Sequence, residues 1–116
     1  MSHRARIEHE SIPPGTLDML ILRTVAASSR EPHGFEIAEA IARASRDVLR
    51  VEEGSLYPAL QRMLVKGLLA AEWGRTADNR RARYYRITAA GKRQLEREIA
   101  SYRRVSQAIA LILQPA

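Results

Sequence analysis

The sequence predicts a mainly α chain with one small β-hairpin. Three observations carry this. Apolar residues recur at helical spacing in three early segments. A short arginine-rich stretch alternates in period two around Asp78-Asn79. A long closing segment carries an apolar stripe at 4-3 spacing. The length, 116 residues, suits one small core with a helical arm, and the 46% apolar content is that of a globular chain.

The first helix follows Pro13-Pro14-Gly15-Thr16, a stop and then a start, with Thr16 the expected N-cap. Leu17, Leu20, Ile21 and Val25 keep helical spacing, and Met19 and Leu22 widen the apolar face. The helix should end near Ser28-Ser29, ahead of Pro32. His33-Gly34 opens a second helix over 34–45, with Phe35, Ile37, Ala38, Ile41 and Ala42 expected on its inner face. A polar connection, 46–53, follows.

The third helix is the most informative. Ser55 reads as N-cap, Pro58 falls in the first turn, and Gly67 closes the helix in a left-handed conformation. Leu56, Leu60, Met63 and Leu64 point inward. Ser55, Tyr57, Pro58, Gln61, Arg62 and Lys66 remain outside, a polar face without a carboxylate. The hairpin is expected from Leu68 to Trp73 and from Ala82 to Ile87, with the tip at Asp78-Asn79. Period two places Leu69, Ala71 and Trp73 on one face, and Tyr85 and Ile87 beside them, all read as core. Thr88 can cap the last helix, which runs to about Leu113. Leu95, Ile99, Tyr102, Ile109 and Leu113 form its seam, with Val105 and Ile112 widening it, and a stripe of this kind calls for a second subunit.

Charge points to a partner. The chain carries 19 Lys and Arg against 13 Asp and Glu. Residues 54–93 hold nine basic and two acidic groups, and the other residues hold ten and eleven, so the whole excess lies in one segment. A polyanion-binding surface is concentrated in this way. Arginine, the residue suited to bidentate phosphate and base contacts, makes up most of the excess.

Several chemistries are excluded. The absence of cysteine removes disulfides, thiolate zinc sites and thiol nucleophiles. Ser28, Ser29 and Ser55 lack a local base or oxyanion signature. His3, His9 and His33 lack ligand spacing, and no glycine-rich phosphate loop is present. We expect no enzyme activity, cofactor or metal. No apolar run reaches the length of a membrane span, and residues 1–12 lack the apolar stretch of a signal peptide, so a cytoplasmic location is expected.

Three helices, a basic hairpin and a long striped helix make the plan of a winged helix-turn-helix with a C-terminal helix. Residues 1–13 would be a flexible arm, 14–87 the DNA-binding domain and 88–116 the dimerisation helix. The major groove, about 12 Å wide, admits one helix. The third helix would enter it with Ser55, Tyr57, Pro58, Gln61, Arg62 and Lys66, while Arg80, Arg81 and Arg83 of the wing meet the backbone. A protein-interaction module built on the same fold is the alternative, and the concentrated charge argues against it. A metal-sensing winged helix is disfavoured by the missing cysteines.

Five stretches sharpen this reading: Gly15-Thr-Leu-Asp-Met-Leu-Ile-Leu22, His33-Gly-Phe-Glu-Ile37, Glu53-Gly-Ser-Leu-Tyr-Pro-Ala-Leu60, Gly67-Leu-Leu69 and Arg83-Tyr-Tyr-Arg-Ile-Thr-Ala-Ala-Gly91. In this order they resemble the PadR family of bacterial transcriptional regulators, in its short form with a single C-terminal helix. The resemblance implies a homodimer held by the C-terminal helix and part of the first, binding double-stranded DNA as a repressor. In several members it also implies a small aromatic effector. Tyr57 matches the family's recognition-helix tyrosine, and Arg81 and Arg83 match its basic wing.

Overall fold

The computed structural model describes residues 12, 13 and 15–115. The arm expected over residues 1–13 lies outside them except for its last two positions. The elements run α1 (Leu17–Ala27), α2 (Gly34–Ala44), α3 (Glu53–Val65), β1 (Leu69–Arg75), β2 (Arg81–Ile87) and α4 (Ala89–Leu113). The strands form an antiparallel hairpin in which Leu69 faces Ile87 and Arg75 faces Arg81. This is a mostly helical winged-helix chain, the class that the sequence predicts.

One core joins all six elements. Ile21 and Leu22 of α1, Ile37 of α2, and Leu56, Leu60 and Met63 of α3 are fully buried, and Leu69, Tyr85 and Leu95 close it from the hairpin and α4. Each large aliphatic side chain so buried is worth about 1.5–3 kcal/mol relative to exposure. Phe35 departs from expectation and is 61% exposed. At about 100° per residue it lies opposite Ile37 and Ile41, which own the inner face of α2.

The helix ends are defined by local chemistry. α2 starts in a capping box. His33 Nδ1 accepts from the Glu36 N–H, and the Glu36 carboxylate accepts from the His33 N–H. Thr16 occupies the N-cap position of α1, but its hydroxyl donates to the Pro13 carbonyl at 2.7 Å and caps no first-turn N–H. α3 begins earlier than predicted, with Glu52 as N-cap and no side-chain cap, so Ser55 lies inside the first turn and Pro58 in the second. Its far end agrees with prediction. Gly67 has φ +74°, its N–H donates to the Leu64 carbonyl, and the Leu68 N–H donates to the Met63 carbonyl, which completes a Schellman motif.

Thr88 sits where three elements meet. Its hydroxyl accepts from the Gly91 N–H at 3.0 Å, capping α4, and donates to the Gly67 carbonyl at 2.6 Å, just past α3. Gly91 is buried against the Leu68 backbone and has no room for a β-carbon. α4 then divides in two. Leu95 is 7% exposed and Ile99 packs beside it on the chain's own core. The expected seam is therefore corrected at its N-terminal end: Leu95 and Ile99 are occupied within the subunit. From residue 100 to 115 every residue except Ser106 is exposed.

Candidate nucleic-acid interface

The outer face of α3 and the inner face of the wing enclose a groove of about 710 Å³. Tyr57 and Gln61 line it from α3. Arg80, Arg81 and Arg83 line it from the wing together with Trp73 and the single acidic group Asp78, and Phe35 lines it from the start of α2. Five of the predicted contact residues are thus brought to one concave surface. Ser55, Pro58, Arg62 and Lys66 are exposed on α3 or at its end but do not line the groove.

Each wall is held in place by backbone contacts. The Tyr85 N–H of β2 donates to the Pro32 carbonyl, and His33 bridges Tyr84, so the wing base is pinned to the start of α2. The His33 and Tyr84 rings meet edge to face at 5.6 Å between centroids. The Tyr84 hydroxyl donates to the Arg75 carbonyl on the opposite face of the hairpin. At the tip, Asn79 takes φ +62°, and its N–H donates to the Thr76 carbonyl. Burial pushes the Tyr85 phenol above its ordinary value, against the opposing pull of the neighbouring Arg83 charge.

The aromatic residues differ in their placement. Tyr85 is buried as predicted. Trp73, predicted as core, is 56% exposed. Its strand phase is right, since Leu69 and Ala71 share its face, but β1 runs beyond the end of the core before reaching it. Arginine flanks the ring instead: Arg81 Cζ lies 4.2 Å and Arg83 Cζ 5.1 Å from its centroid. Tyr57 is 47% exposed, and the rest of its ring lies against Gly34.

The α3 face is not free of acid. Glu53 belongs to its first turn, and Asp18 of α1 reaches Arg62 at 3.0 Å. Arg62 is therefore engaged by α1, a pairing across 44 residues that no local pattern reveals. Phe35 and Trp73 are the groove residues that sequence reasoning missed. Helical phase could have found Phe35. The arginines facing Trp73 in the hairpin register could have found Trp73.

On α4, Tyr102, Val105, Ile109, Ile112 and Leu113 are 49–80% exposed and share one helix face, Leu111 is exposed on the other side, and none of them lines the groove. No helix among the described residues is long and apolar enough to cross a membrane. No three His, Asp or Glu side chains among them are grouped to hold a metal ion.

Residues 21–97 match the family described as the transcriptional regulator PadR-like family. An uncharacterised protein of Lysinibacillus sphaericus is 31% identical over 100 residues, 86% of this chain and 90% of that protein. Transcriptional regulator Rv3488 of Mycobacterium tuberculosis is 41% identical over 69 residues, 60% of this chain and 61% of that protein. The crystal structure of a PadR-like transcriptional regulator from Bacillus cereus is similar with a TM-score of 0.73 at 29% identity, covering 88% of this chain and 95% of that one.

Proposed function

This chain belongs to the PadR-like family of transcriptional regulators, and on that premise we propose that it is a homodimeric repressor reading a palindromic operator in double-stranded DNA. It is a regulator and not an enzyme. The observation that carries the reading is the shared groove: Tyr57 and Gln61 of the recognition helix face Arg80, Arg81 and Arg83 of the wing across one concave, cation-rich surface. A helix in the major groove would present Ser55, Tyr57, Pro58 and Gln61 to base edges, while the wing arginines take the flanking phosphates. Arg62, tied to Asp18, and Lys66 at the helix end serve the backbone rather than the bases.

The exposed apolar half of α4 supports the dimer. Tyr102, Ile109 and Leu113 would meet their counterparts across a two-fold axis, with Val105 and Ile112 beside them. Leu95 and Ile99 anchor that helix to its own subunit. The working division is a DNA-binding unit over 14–87 and a dimerisation helix over 88–116, acting in the cytoplasm.

The test is selection of the purified protein against a randomised duplex library at physiological salt. Recovery of an inverted repeat with half-sites about ten base pairs apart supports the dimeric reading. Recovery of unenriched DNA leaves a general polyanion surface and overturns the operator reading. Binding indifferent to salt points to a protein-interaction module instead.

A further inference from the structure

Trp73 is the only tryptophan, and it is more than half exposed at the rim of the groove. A large indole that adds little to the core needs another reason for its position. The register supplies one. Trp73 faces Arg83 directly across the hairpin, and Arg81 follows on the same face as its diagonal neighbour. Both guanidinium carbons lie within cation–π reach of the ring, at 4.2 and 5.1 Å from its centroid. Neither arginine forms an ion pair with a carboxylate among the described residues, where the pairs are Arg30–Glu36, His33–Glu36 and Arg62–Asp18.

We propose that Trp73 is a positioning residue of the wing, whose indole holds Arg81 and Arg83 together at the mouth of the groove with guanidinium donors left over for phosphate oxygens. The inference rests on the DNA-binding reading above. Two neighbouring cations on long side chains repel and scatter over many rotamers. The electron-rich ring attracts both, offsets the repulsion and restricts their rotamers before DNA arrives. A guanidinium held at a ring face still has peripheral donors for phosphate. Trp73 thus acts through the arginines, without a base contact of its own.

Two measurements test this. The first needs no DNA. Trp73 fluorescence is quenched with iodide and with caesium at low ionic strength, in the wild type and in R81A/R83A. Two guanidinium groups on the ring concentrate iodide and repel caesium, so iodide should quench several times more strongly in the wild type. That preference should fall severalfold in the double variant. An iodide-to-caesium ratio that is the same in the wild type and the double variant overturns the proposal.

The second is a cycle on the selected operator, with thermal unfolding followed in parallel. W73L should weaken binding about fivefold and lower the slope of log K against log salt by up to two phosphates. In the R81A/R83A background the same change should have no effect. W73F, which keeps a ring face, should recover most of the affinity. No loss in W73L, or an equal loss with and without the arginines, overturns the positioning role. Wild-type protein that shows no salt-dependent binding overturns the DNA reading instead, and the quenching result is unaffected by that outcome.

Discussion

The ring of Tyr57 rests on Gly34: a β-carbon added to Gly34 would stand 2.7 Å from the ring Cε1 and 2.8 Å from its hydroxyl. The α3 tyrosine is thus aimed by the first residue of the preceding helix, with one part of the ring held and the rest open to the groove. Gly34→Ala should turn the ring away. Alanine also favours the helix, so stability should stay within about 1 kcal/mol of wild type. Operator affinity should fall about tenfold, as for Tyr57→Ala, while affinity for random DNA changes little. Binding to both duplexes beside a melting curve checks this, and an equal loss on both would assign Tyr57 to the backbone.

Arg62 and Asp18 make the opposite kind of pair. With the side chains 53% and 25% exposed, their 3.0 Å bridge contributes under about 1 kcal/mol to folding. Asp18→Asn should therefore leave the melting temperature nearly unchanged. It releases Arg62 and removes a negative charge beside α3, so DNA affinity should rise severalfold at low salt and by less at high salt. Titrations at two salt concentrations decide it, and affinity that falls would mean that the pair orients Arg62 for DNA.

Gly91→Ala should be the most destabilising of these substitutions. The new methyl group would meet the Leu68 carbonyl oxygen and the Ile87 side chain. Backbone cannot yield as a side-chain tip does, so a loss of about 2 kcal/mol or more is expected in urea unfolding. A midpoint equal to wild type would show that the start of α4 can shift away from the hairpin.

Glu36 gives the fold an acid limit. Burial alone would raise its carboxyl, but the His33 N–H bond, the His33 charge and the Arg30 guanidinium together hold it below the usual 4.5. A pKa lower in the folded chain than in the unfolded one adds stability that is full above 4.5 and is lost as pH falls through the folded value. Glu36→Gln keeps an oxygen for the capping bond and removes the charge. Wild type should exceed the variant in stability at pH 6, and the gap should close toward pH 3. A gap independent of pH would remove the charge from the account.

Ile109→Glu places a charge in the middle of the exposed face of α4. Light scattering behind a sizing column should show the proposed dimer replaced by monomer. The body should remain folded, because Ile109 is not part of the core. An unchanged mass would move the subunit contact elsewhere.

What was legible in the sequence was local. Gly67 at the end of α3, Thr88 at the start of α4 and His33 ahead of α2 follow from backbone needs of their nearest neighbours. Alternation gave Tyr85 its buried place. The same alternation failed at Trp73, because phase gives the face of a strand and not the point at which the supporting core ends. The seam failed at Leu95 for a related reason. A 4-3 stripe does not say whether its partner is another subunit or the chain's own α1. Arg62 escaped because its carboxylate lies on a different helix.

The Thr88 hydroxyl fastens the exit of α3 to the root of the long arm. In a dimer assembled through those arms, the angle at which they cross would be transmitted to the separation of the two heads through a rigid root, because the Thr88 bonds and the packing of Leu95 and Ile99 together fix the arm. The arm would then work as a lever whose far end adjusts a ruler laid along the duplex.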